Sequence, residues 1–125
     1  MLVLTQYIAK HEFKPLSRFI NLRDIIDGAK KVLKGLAIET KSPSGLIGFR
    51  FFKVRIGRKN RARMIVFLVT ENNKVVPVLI RLKKDKIFGM NMAMNNPAIA
   101  IQINKNMDRL IQDIETHQYE EFDLN

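Results

Sequence analysis

The chain has 125 residues, 46% of them hydrophobic, with 22 Lys and Arg against 12 Asp and Glu, a formal net charge of +10, and no cysteine. That length suits one domain with a core of its own, and the balance of apolar and charged residues excludes a disordered chain. Disulfide and thiolate chemistry are excluded, two distant histidines (His11 and His117) serve metal chemistry poorly, and no run approaches the roughly 20 apolar residues of a membrane span.

The opening MLVLTQYIA alternates weakly and reads as a first strand. It lacks the basic region and small-residue cleavage site of a signal peptide. FKPLSRFI and LRDIIDGAKKVLKGL come next as two helices. In the second, Leu22, Ile25, Ile26, Ala29, Val32, Leu33 and Leu36 recur at helical spacing, with Asn21 as N-cap and Gly35 near the C-terminal end. ETKSPSGLIG has the composition of a loop.

Three strand-like runs succeed it: GFRFFKVRIG, RMIVFLVT and KVVPVLIRL. The short connections RKNRA and ENNK, the latter with Asn72-Asn73 suited to a tight turn, predict an antiparallel meander. Pro77 cannot donate to a ladder, so the third run belongs at an edge or is bulged there. GMNMAMNNP reads as adaptable packing or a loop. Asn96 and Pro97 then start a helix whose stripe of Ile99, Ile103, Met107, Leu110, Ile111 and Ile114 runs to about Thr116, with His117 exposed at its end. An acidic tail, about 117–125, closes the chain. The expected fold is one α+β domain over 1–125: an N-terminal strand and two helices, an antiparallel sheet of three to four strands with helices on one face, and a C-terminal helix.

The charge is clustered. Residues 50–86 hold twelve basic and two acidic groups, whereas residues 87–125 hold two basic and six acidic ones. Such a field attracts a polyanion, with nucleic acid ahead of an anionic membrane or an acidic protein. Strand parity puts Phe52, Val54 and Ile56 on one face of the first run and Phe51, Lys53, Arg55 and Gly57 on the other. In the third run Val76, Val78, Ile80 and Leu82 oppose Pro77, Leu79, Arg81 and Lys83. Arg61 and Arg63 share a parity at the start of the middle run, and Lys84 and Lys86 extend the charge. If the strands pair as a meander, these cations converge on one open face, where an anion offsets their repulsion. Neither a glycine-rich phosphate loop nor a serine elbow is present. RNA supplies its own nucleophile, the 2′-hydroxyl, so cations suffice: a Lys of lowered pKa removes the proton and Arg stabilises the charged phosphoryl oxygens. Plain phosphate binding needs the same residues.

The segment GFRFFKVRIGRKNRARMIVFLVTENNKVVPVLIRLKKDK resembles the RelE/ParE superfamily of toxins from type II toxin–antitoxin pairs. There, a basic strand K-x-[RK]-[VIL] is followed by a turn, an Arg-led apolar strand, a hairpin and a strand ending in Lys or Arg. The resemblance covers about residues 45–90. It implies a cytoplasmic, cofactor-free endoribonuclease (an mRNA interferase) that cuts mRNA at the ribosome without a metal and is neutralised by a cognate antitoxin. By position, Lys53 or Arg55 would be the base, Arg63 or Arg61 would stabilise the phosphate, and Arg81, Lys83 and Lys84 would contact the leaving side or the ribosomal RNA. Arg50, Arg58, Lys59, Arg61, Lys83, Lys84 and Lys86 would bind nucleic acid. The Tyr that several family nucleases carry after the last strand has no counterpart, Phe88 being nearest. A non-catalytic toxin fold that inhibits a gyrase-like target, or simply binds nucleic acid, therefore remains open, as does a membrane-surface protein.

Overall fold

The computed structural model describes residues 1–42, 49–86 and 96–125. The Met-rich stretch up to Asn95, Phe88 and most of the loop after Thr40 lie outside these residues.

Strand β1 (Leu2–Thr5) is shorter than the apolar opening suggested, because Thr5 caps the helical turn behind it: its Oγ1 accepts from Ile8 N at 3.4 Å. Helix α1 (Gln6–Ile8) runs into a π-helical turn (Ala9–Phe13) and a 3-10 turn (Lys14–Leu16), so the first helical segment begins earlier in the chain than expected. Its entry is fixed from outside, with Gln6 N donating to Gln118 O at 3.0 Å and Tyr7 N to Asp113 Oδ2 at 2.6 Å. Helix α2 (Leu22–Leu33) starts at the expected Asn21, which forms a reciprocal capping box with Asp24. It closes with Gly35 at φ +74° and Leu36 N bonded back to Lys31 O at 2.9 Å.

Strands β3 (Arg50–Ile56), β4 (Ala62–Val69) and β5 (Lys74–Leu82) form the expected antiparallel meander. Helix α3 (Pro97–Glu115) begins at Asn96, whose side chain caps Ala98 N. The sheet, however, has six strands in the order β2-β3-β4-β5-β1-β6 and is mixed, β1 running parallel to β5. Two strands come from segments read otherwise: β2 (Ile38–Thr40) overlaps the start of the stretch read as a loop, and β6 (Tyr119–Phe122) lies in the acidic tail. Both are short, so register with β3 and β1, not local pattern, defines them.

The helices cover both faces, not one. On the first face α2 packs Ile25, Ala29 and Val32 against Phe52, Val54, Ile56, Met64 and Ile80. On the second, Ile8 and the α3 stripe of Ile99, Ile103, Met107 and Leu110 meet Phe51, Ile65, Phe67, Val76 and Leu79. Phe49 adds an edge-on contact to Phe67, with ring centroids 5.2 Å apart. The middle run reads apolar on both parities because it is buried on both sides, as two-sided sheets require. Close approach of α2 rests on Gly28, where a Cβ would lie 2.6 Å from Ile56 Cγ2.

The third run does not keep one apolar parity to its end. Ile65 pairs with Leu79 and Val66 with Pro77, so Val78 is the extra residue of a β-bulge beside the proline. The bulge switches faces: Val76 and Val78 lie with Leu79 on the α3 side, and Ile80 turns to the α2 side. This switch carries Arg81 to the same face as Lys53.

Candidate nucleic-acid interface

Arg55, Arg63 and Arg81 are direct register partners across β3, β4 and β5, one row of three guanidinium-bearing positions on the α3 face. Lys53, two residues along β3, sits beside them opposite Ile65. Cross-strand neighbours are about 5 Å apart at Cβ, a spacing at which like charges destabilise a sheet. The row lies next to the β3–β4 turn (Arg58–Asn60), at the end of the sheet away from the acidic edge strand β6.

The surroundings of the row differ along its length. Arg55 is exposed. Arg63 is 6% exposed and donates Nη1 to Asn60 O at 2.7 Å and to Ala62 O at 3.3 Å. Burial pushes the Arg63 guanidinium below its ordinary pKa, and the Arg55 charge adds to the effect. Lys53 is half-buried, and its ammonium is likewise lowered, first by burial, then by Arg63 and Arg55. No carboxylate among the described residues forms an ion pair with Arg55 or Arg63. Lys31 adds a further cation from the other side, donating Nζ to Arg55 O at 3.2 Å.

Arg81 is held differently. Its Nη1 pairs with Glu12 Oε1, a carboxylate that is 2% exposed. Glu12 also accepts from Ile80 N at 2.7 Å and from Asn106 Nδ2 at 3.3 Å, while Asn106 Nδ2 donates to Val78 O at 2.8 Å. The bulge exposes these β5 backbone groups beyond the end of β1, and Glu12 and Asn106 satisfy them in place of a strand. Burial raises the Glu12 carboxyl above its usual range, against the lowering effects of Arg81, Ile80 N–H and Asn106. Sequence pattern gives no sign of this network. Glu12 and Asn106 are 94 residues apart, and neither is distinguished by its neighbours in sequence.

Five of the other cations form a second group. Arg58, Lys59, Arg61, Lys83 and Lys84 line a cleft of about 340 Å³ with Phe19 and Leu82, around the sheet's end from the row. Lys83, expected with Lys53 on one strand face, lines this cleft: it lies one residue past the end of β5, with its N–H still bonded to Arg61 O at 2.7 Å. Arg50 is not part of either group. It lies on the α2 face, stacked 5.3 Å over Phe52, with Nε and Nη2 donating to the Glu39 carboxylate on β2 at 3.0 and 2.9 Å. Lys86 is exposed beyond the turn after β5.

Among the described residues, no three His, Cys, Asp or Glu side chains gather to hold a metal ion. No described helix is long and apolar enough to cross a membrane. His117 is exposed just past α3, at φ +57°. Compared with known proteins, the chain matches no family model, no curated protein and no solved structure. The chemistry of the site therefore rests on its own geometry.

Proposed function

We propose that this protein grips RNA with the cationic end of its sheet and cleaves it as a metal-independent endoribonuclease, the toxin of a toxin–antitoxin pair acting on mRNA. The observation that carries the reading is Lys53: an amine beside Arg55 and Arg63 whose pKa is lowered by burial and by both of their charges. A lysine so placed is neutral more often than in water and accepts a proton more readily. In the proposed step the neutral amine takes the 2′-hydroxyl proton, and the 2′-oxygen attacks phosphorus. The bond to the 5′-oxygen then breaks, and that oxygen takes a proton from water. A 2′,3′-cyclic phosphate and a 5′-hydroxyl result. Arg55 and Arg63 stabilise the charge growing on the non-bridging oxygens. Arg81, fixed by Glu12, sets the edge of the row instead of reaching for substrate. The antitoxin and the ribosome enter from the family resemblance of residues 45–90, and the toxin assignment stands on it.

The test is RNA incubated with purified protein, in chelator without ribosomes and in magnesium buffer with them, and then subjected to end-group analysis. Lys53→Ala is expected to lower cleavage by on the order of a hundredfold, the usual contribution of a positioned base. The wild-type rate rises with pH through a group titrating below the ordinary lysine range. Intact RNA at high protein concentration in both reactions overturns the cleavage reading.

A second reading, phosphate binding without cleavage, draws on the burial of Arg63 and the clamp on Arg81, which leave fewer mobile cations at the row. Lys53→Arg separates the two. Retained RNA affinity is common to both readings, but loss of cleavage belongs to the first alone, because Arg does not give up its proton.

A further inference from the structure

Phe19 is a large apolar side chain that no core absorbs. It is 45% exposed, yet its surroundings are fixed by three separate segments. Arg61 Nη1 donates to Phe19 O at 3.4 Å and its Nε to Arg58 O at 3.3 Å, tying the β3–β4 turn to the chain before α2. Gly57, at φ +83°, permits that approach: a Cβ there would meet Ile20 Cγ2 and Arg61 Cγ, each at 3.2 Å. The turn after β5 is joined on by Lys83 N bonding Arg61 O. The ring therefore faces a pre-formed cleft of about 340 Å³, near the lower limit for small-molecule sites, whose described lining includes no acidic residue.

An exposed aromatic ring walled by cations can satisfy two parts of one ligand together. Its face takes a flat, unstacked base, and the lysine and arginine heads take the phosphates on either side. A duplex cannot offer that, since its bases are stacked on one another. A lipid headgroup or a phosphorylated peptide would use the cations and leave the ring idle.

We infer that the Phe19 cleft is a nucleotide subsite for single-stranded RNA, with one base stacked on the Phe19 ring and the flanking phosphates held by Arg58, Lys59, Lys83 and Lys84. This deepens the RNA reading and rests on it, but not on cleavage. The cleft lies around the sheet's end from the Arg55–Arg63 row, so one strand crossing that end can occupy both. The subsite then holds the strand while the row faces a phosphate further along.

The chain has no tryptophan, so Phe19→Trp introduces one fluorophore at the point of contact. Short 2′-O-methyl oligoadenylate is the ligand, because it lacks the attacking hydroxyl and cannot be cut. Its titration is read by the anisotropy of a label on the oligonucleotide and by the indole emission of Phe19→Trp. The expected result is quenching that saturates in step with anisotropy, while inorganic polyphosphate, charged but baseless, leaves the emission unchanged. Phe19→Ala is expected to weaken oligoadenylate binding about tenfold and to leave polyphosphate binding as it was. Saturating anisotropy without quenching, or Phe19→Ala weakening both ligands equally, overturns the subsite and leaves the cleavage reading intact. Absence of oligoadenylate binding overturns the subsite, and together with intact RNA in both cleavage reactions it overturns the RNA reading as well.

Discussion

One row of arginines ends in two different ways. At β5, Arg81 meets a buried carboxylate that also accepts from Ile80 N, while Asn106 donates to Val78 O, so every member of that network is answered from within the chain. At β3 and β4, Arg55 and Arg63 face each other in register, with only backbone carbonyls bonded to Arg63. The first end is built like a core and the second like a site. Compensated buried charge fixes the architecture; charge left uncompensated among its neighbours persists where an outside anion completes it.

The sharpest break in this comparison is Glu12→Ala. It leaves Ile80 N without an acceptor and Arg81 without its counter-charge, and should cost about 3 kcal/mol of stability in denaturant unfolding. Because burial raises the Glu12 carboxyl, the wild-type protein gains stability from protonation below the ordinary carboxylate pKa and loses it as pH rises through the folded value. Glu12→Ala should remove that acid-side slope. An unchanged unfolding midpoint would mean that the network adds nothing to the fold.

Arg55→Gln probes the other end and should act with the opposite sign. Removing one of two facing cations relieves repulsion, so stability should rise by roughly a few tenths of a kcal/mol. RNA affinity should fall about fivefold, the effect of one close phosphate contact worth about 1 kcal/mol. The pH profile of cleavage should also move up, since Arg55 is one of the charges holding the Lys53 pKa down. Loss of stability on Arg55→Gln would show that the β3 end, like the β5 end, is structural.

Much of the fold was legible because local pattern and tertiary demand agree there. The Asn21 cap, the Gly35 ending, the Asn96-Pro97 start and the meander of β3 to β5 each rest on residues close together in sequence. What could not be read depends on distant partners. The strand β6 exists because β1 offers an edge, and α3 covers a second sheet face because Phe51, Ile65 and Phe67 line it. The candidate site divides along the same line. Parity put Lys53 with Arg55, and the structure has Arg55 in the row and Lys53 beside it. Arg81 reaches it only through the Val78 bulge, which Pro77 signalled without fixing its direction. Strand parity could not place Lys83, which lies past the end of β5, and the cleft beside Phe19 forms only where three segments meet.

The smallest expected effect is the one that tests whether position or mere charge governs binding. Arg50→Gln removes a positive charge, as Arg55→Gln does, from a residue five positions earlier on the same strand. But Arg50 points to the α2 face, where Glu39 already accepts from its Nε and Nη2 and Phe52 takes the flat of its guanidinium. An exposed pair of this kind contributes little to stability. Since Glu39 neutralises Arg50 in the free protein, a phosphate would have to displace a bidentate partner to use it. Arg50→Gln should therefore leave RNA affinity and the slope of affinity against salt unchanged, whereas Arg55→Gln should reduce both. Equal losses from the two variants would mean that RNA responds to the summed field of a +10 chain, and the register of Arg55 with Arg63 would then carry no functional meaning.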